Sequence, residues 1–161
     1  MTRTLVLMRH GKSDYPPGVE DHQRPLNNRG RREAALAGQW LRRDGIAVDV
    51  VLCSTASRTR QTLQRTGIEA PAQFLDELYD ADADQVCEAV RLHVPADAAT
   101  ALVVAHFPGM PETALALDPS GRIERFPTSA YAILEIAGPW DRLGMSPDDA
   151  NRLVAMQVPR A

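Results

Sequence analysis

Three places in the sequence put reactive or cationic side chains directly after an apolar run. Arg9 and His10 follow Leu5-Val6-Leu7-Met8, Ser54 and then Arg58 follow Val50-Val51-Leu52-Cys53, and His106 follows Thr100 to Ala105. A continuous apolar run suits a strand buried on both faces, and in open α/β sheets the carboxyl ends of such strands form the edge that binds ligands. If the three runs lie in one parallel sheet, two histidines and two arginines converge. Crowded cations are costly unless an anion shares the site, so the pattern points to a phosphate or a carboxylate. A neutral imidazole among them can act as a nucleophile, and His10 is the candidate. Taken alone, His106 fits a hydrogen-bonded core histidine equally well and Arg58 fits a solvated helix residue. Arg9 and His10 together, ending a buried strand, tip the reading toward function.

These residues meet only if the rest of the chain delivers the strand ends to one edge. Residues 14–28 are polar and proline-bearing and read as a long loop without structure of its own, a kind that tends to be functional in compact domains. A helix is expected from about Asn28 to Asp44, capped by Asn27, closed by Gly45, and presenting Ala35, Leu36, Gln39, Trp40 and Arg43 on one face. Val48 to Cys53 reads as a strand, and the hydroxyls of Ser54-Thr55-Ala56-Ser57 suit the cap of a helix running to about Thr66. A strand at Ala72 to Leu75, a helix at Asp84 to His93, a strand at Thr100 to Ala105 and a short helix ending near Leu117 follow. Ala130 to Ile136 is a further strand, and Arg152 to Val158 allows either a sixth strand or a short helix. Alternating strands and helices imply a mostly parallel central sheet covered on both faces, a three-layer α/β/α sandwich.

Composition excludes more than it assigns. With 161 residues, the chain can bury one sizeable core, and residues 1–161 are expected to form a single domain. Hydrophobic residues at 44% and charged residues at 24% are those of a globular protein, which sets aside disordered and fibrous classes. A net charge of -3 argues against nucleic acid or an anionic membrane as partner, so any basic site must be local. No apolar run approaches the roughly 18 residues of a spanning helix, and the chain leads straight into a strand rather than a secretion signal. Cys53 and Cys87 are too few for a disulfide framework, which suits a reduced, cytoplasmic protein. Dinucleotide and P-loop fingerprints are absent, and His22 and His93 show no metal-ligand spacing. Asp80, Asp82 and Asp84 imitate a calcium loop, but Gln85 and Arg91 stand where glycine and glutamate are required; helix capping explains the acids better.

The combination resembles the histidine phosphatase superfamily, the broad group that includes phosphoglycerate mutases. Arg9-His10-Gly11, Ser54-x-x-x-Arg58-x-x-Gln61-Thr62, Glu77 after the third strand and His106 after the fourth carry the likeness. Arg24-Pro25-Leu26 and Pro127-Thr128-Ser129-Ala130 look closer still to its compact branch, the SixA-type phosphohistidine phosphatases. The resemblance spans residues 3 to about 136 and implies a phosphoglycerate mutase-like fold. It also implies that His10 forms a phosphohistidine intermediate, that Arg9, Arg24, Arg58 and His106 hold phosphoryl oxygens, and that Glu77 is the general acid. No metal or cofactor is implied.

Two departures stand out. Ala105-His106-Phe107-Pro108 replaces the common Gly-His-Asn-Pro, putting an apolar ring beside His106, and Asn27 stands where threonine is common. The activity that the resemblance implies is hydrolysis of a phosphoryl group on a protein histidine or on a small phosphorylated metabolite. Mutase-like phosphoryl transfer and a non-catalytic phosphate-recognition module are the alternatives.

Overall fold

The structure is a computed structural model that describes residues 2–146 and 150–160. Its strands are β1 (Arg3–Arg9), β2 (Val50–Ser54), β3 (Ala72–Leu75), β4 (Thr100–Ala105), β5 (Tyr131–Ile136) and β6 (Arg152–Gln157). Its helices are α1 (Asn28–Arg43), α2 (Ser57–Thr66), α3 (Ala83–His93) and α4 (Gly109–Leu117). All six strands lie in one sheet of order β3-β2-β4-β1-β5-β6. The four strands β3, β2, β4 and β1 are parallel, while β5 runs antiparallel to both β1 and β6. The segment Arg152–Gln157 is thus a strand, pairing with β5 across a register shift at Ile133/Leu134.

Alternation along β1 divides the core. Leu5 and Leu7 face a cluster with Val86 and Val90 of α3 and Met110 and Ala114 of α4. Val6 and Met8 face Ala37 and Leu41 of α1 and Leu63 of α2. The sandwich is therefore α/β/α, and each of those β1 side chains, fully removed from water, contributes roughly 1.5–3 kcal/mol.

Local signals succeed where no tertiary partner competes for them. Asn27 accepts from Gly30 N at 2.8 Å and caps α1, and Asp82 forms a capping box with Gln85 at α3. Two expectations fail. The buried face of α1 is Gly30, Glu33, Ala34, Ala37, Gly38 and Leu41, not the face of Leu36 and Trp40, because its small residues allow a closer approach. A Cβ on Gly38 would fall 2.0 Å from Thr66 O, and one on Gly30 would fall 2.1 Å from Lys12 O. Trp40 packs only at the margin of the core. The cap of α2 is Ala56, whose side chain has no acceptor, while Ser54 remains in β2 with its hydroxyl on His106.

The loop between β1 and α1 also has more structure than expected. An isolated bridge between Ser13 and Leu26 closes it, Asp14 N donates to Pro25 O at 2.8 Å, and a 3-10 turn forms at Asp21–Gln23. No helix among the described residues is long and apolar enough to cross a membrane.

Candidate active site

Strand order builds the site. β1 and β4 are neighbours with Arg9 opposite Ala105, so His10 and His106 leave adjacent strands together, their rings 5.3 Å apart. β2 flanks β4 on its other side, which lands Ser54 Oγ 2.8 Å from His106 Nε2 and starts α2 with Arg58 beneath the crevice. The resulting cavity of about 200 Å³ is lined by Arg9, His10, Ser13, Arg24, Arg58 and His106, with Lys12, Tyr15, Asp80, Phe107 and Thr128 at its walls.

His10 is held in one orientation. Its backbone N donates to Ala105 O and its carbonyl accepts from Ser129 N, both at 3.0 Å, so its neighbours fix the main chain from two sides. Its Nδ1 lies 2.7 Å from Gly11 O. A carbonyl only accepts, so the hydrogen is on Nδ1 and the lone pair is on Nε2. Gly11 is required here: a Cβ would meet Gly30 O at 2.9 Å, and its N–H donates to Thr62 Oγ1 at 2.8 Å. Burial lowers the His10 pKa to about 3, with His106, Arg58 and Arg9 adding to that direction against the Gly11 hydrogen bond. The ring is therefore neutral at pH 7.

The surrounding donors are anchored but not exhausted. Arg9 donates from one terminal nitrogen to Phe126 O at 2.9 Å, while its Nε is buried without a partner. Arg58 is 4% exposed and donates to the carbonyl and carboxylate of Asp21 at 2.7 and 3.1 Å. Arg24 reaches in from the loop, donating to Ser13 Oγ at 2.7 Å and to Asp21 Oδ1 at 3.0 Å. Burial first, then Arg58, lowers the His106 pKa to about 4. Ser54 Oγ accepts a long bond from Ala56 N at 3.4 Å, which leaves its hydrogen free to donate to His106 Nε2. With Ser54 as donor the hydrogen of His106 is assigned to Nδ1, which is buried and unpartnered.

Such a ring of buried donors around a neutral imidazole is built for an oxyanion, and comparison with known proteins supports this. The family model of the histidine phosphatase superfamily (branch 1) matches residues 5–106. The chain belongs to the histidine phosphatase superfamily. It is a phosphatase. An uncharacterised protein of Mycobacterium tuberculosis is 49% identical over 95% of this chain and 100% of its own length. The phosphohistidine phosphatase SixA of Escherichia coli is 30% identical over 80% of this chain and 82% of its own. A solved structure of a candidate SixA from Nakamurella multipartitia superposes at TM-score 0.91 with 43% identity, covering 100% of this chain and 98% of that one. The protein histidine phosphatase SixA complexed with tungstate superposes at 0.82 with 26% identity over 97% of each chain.

Within this superfamily scaffold the structure brings together five of the six residues singled out from the sequence. Arg9, His10, Arg24, Arg58 and His106 all line the cavity. Glu77 does not: it is half exposed, in the 3-10 turn Asp76–Leu78, with its carboxylate 3.7 Å from His93 Nε2. The carboxylate that lines the cavity is Asp80, whose φ of 56° carries the chain back toward the site.

The residues not foreseen are those that hold the arginines. Asp21 accepts from Arg24, Arg58 and the hydroxyl of Tyr79, and these bonds, Tyr79's foremost, hold its carboxyl well below the usual range. The ring of Tyr79 stands edge-on to His106 at 5.4 Å. An exposed aspartate three residues before an arginine gives no sequence signal for this role, since its partners come from α2 and the turn after β3.

Proposed function

We propose that the protein hydrolyses the phosphoryl group of a protein phosphohistidine through a phospho-His10 intermediate. The supporting observation is the His10 ring: Nδ1 bonded to Gly11 O, Nε2 free, and the ring neutral inside a cavity ringed by arginines. Nε2 attacks phosphorus and the bond from phosphorus to the substrate nitrogen breaks, that nitrogen leaving with its electron pair and taking a proton from water. Water then attacks phospho-His10, releasing inorganic phosphate and restoring the imidazole. Arg9, Arg24, Arg58 and His106 line the cavity around the oxygens over which charge spreads, and pre-placed donors of this kind each contribute about 3 kcal/mol.

The leaving group follows from the position of Glu77. An alkoxide leaves poorly without a proton donor, whereas an imidazole nitrogen needs one far less. With Glu77 turned to His93 and Asp80 the carboxylate at the cavity wall, the residue expected as acid does not reach the leaving group, which suits a phosphoryl group on nitrogen. The SixA relatives, named for phosphohistidine and in one case complexed with tungstate, agree with that substrate and with an oxyanion as ligand. Brief incubation with a phosphohistidine protein is expected to leave an acid-labile, alkali-stable phosphoprotein that is absent in His10→Ala. Wild-type protein that binds phosphate but shows neither adduct nor hydrolysis would reduce the site to a recognition module.

A further inference from the structure

A second cavity, of about 510 Å³, opens beside the catalytic one and shares Arg9 and Phe107 with it. Its other walls are Pro111 of α4 and the Ile123, Phe126 and Pro127 side of the segment before β5. Arg9 forms the partition, with one terminal nitrogen donating to Phe126 O at 2.9 Å and the guanidinium lying 5.0 Å from the Phe107 ring centre. Any group bound through its phosphoryl oxygens at Arg9 therefore has Phe107 and this groove immediately alongside.

The two cavities differ in chemistry. The catalytic one carries Arg9, Lys12, Arg24 and Arg58. The groove adds only Glu124 and Arg125, of opposite sign, to an otherwise apolar lining. A sugar, a nucleotide or a second phosphate would give up hydration there and find few donors in return. An apolar side chain gains by entering. Phe107 is 54% exposed although it directly follows buried His106, and a large exposed ring at the mouth of a site is a surface left for a ligand to cover. The groove is also far larger than one imidazole needs, so its occupant extends beyond the phosphorylated residue itself.

We infer that this groove is a substrate subsite. It receives an apolar side chain flanking the phosphorylated residue of a protein substrate, with Phe107 and Ile123 setting the preference. The inference rests on the phosphatase reading of His10 and adds to it what is recognised beyond phosphorus. Neighbouring residues of an extended peptide are about 3.3 Å apart, so a side chain one or two positions away reaches across Arg9 into the groove.

The test uses two histidine peptides phosphorylated with phosphoramidate, identical except for leucine or serine flanking the phosphohistidine, with phosphoramidate and phenyl phosphate as small substrates. Wild-type kcat/KM is expected to be about tenfold higher for the leucine peptide. In Ile123→Ser the preference should fall below twofold while phosphoramidate hydrolysis stays within twofold, and Pro111→Ser checks the result should Ile123→Ser fold poorly. His10→Ala protein, which cannot turn over, reads the same preference as affinity in fluorescence polarisation. That arm separates the two readings: absent hydrolysis with retained leucine preference overturns the catalytic reading alone. Equal rates and affinities for the two peptides, or a preference that survives both variants, would overturn the subsite. A loss confined to phenyl phosphate in Ile123→Ser would assign the groove to a small aromatic leaving group and overturn the peptide.

Discussion

The ends of β1 and β4 and the end of β3 are all carboxyl ends of parallel strands, yet they deliver their side chains very differently. β1 and β4 lie at the centre of the sheet, and His10 and His106 emerge 7% and 5% exposed. β3 is an edge strand, with Ala72, Gln73 and Phe74 exposed, and the residue expected to act as acid turns outward to His93. The difference is one of constraint. His10 is bonded through its main chain to Ala105 on one side and Ser129 on the other. The turn after β3 is held by Tyr79 N to Asp76 O at 3.0 Å, by Thr55 Oγ1 to Asp76 Oδ1 at 2.6 Å and by buried Leu78, none of which holds the Glu77 side chain toward the cavity. A central strand end fixes where the next side chain goes; an edge strand end leaves that to the turn.

The largest consequence concerns the two central histidines. Unfolded, each binds a proton below about pH 6.5, whereas in the folded protein burial delays this to about 3 for His10 and about 4 for His106. Unfolding therefore takes up protons in this window, and stability falls as pH drops below 6.5. By pH 5 the loss should be on the order of 2 kcal/mol per histidine. Urea unfolding at pH 7 and pH 5 measures it, and His10→Asn should remove about half of the difference. Equal stability at both values would mean that the central strand ends do not hold these rings neutral.

Ser54 sharpens the same comparison within the site. Ser54→Ala removes the hydroxyl that holds Nε2 of His106, and kcat/KM for a phosphohistidine protein should drop about tenfold, roughly 1.4 kcal/mol. The ¹⁵N shifts of His106 should show hydrogen on Nδ1 in the wild type and a mixture of tautomers in the variant. Unchanged shifts would limit Ser54 to packing.

Glu77→Gln, at the edge, should have the smallest effect. Activity within twofold of wild type is expected on both phosphohistidine and alkyl phosphate substrates. Selective loss on the alkyl ester would show that the turn after β3 brings the carboxylate back during turnover.

Much of the site was legible because its signals are local. Arg9-His10 after a buried run, His106 after another, and Arg58 at the start of α2 each follow from strand pattern and chain order. The loop residue Arg24 was legible only through family likeness, since nothing in its spacing says that residues 14–26 fold back over the crevice. The Asn27 cap of α1 was also read correctly, and of the three acids assigned to helix capping Asp82 caps α3, both signals being contained within a few residues of chain. The buried face of α1 was misjudged because side-chain size, not hydropathy, decides a contact in which Gly38 meets the backbone at Thr66.

By itself, the sequence determined the apolar runs, the alternation of strands and helices, and the candidacy of His10, Arg9 and Arg58 at strand ends, because period and composition are properties of the chain. Only the tertiary structure decided which groups face one another. It gave Ser54 to His106 rather than to a helix cap, Asp21 to two arginines, Glu77 to His93, and Phe107 to a groove beside the catalytic cavity. Those pairings depend on strand order and on which strands are central, and strand order is set by the packing of distant segments rather than by any stretch that can be read alone.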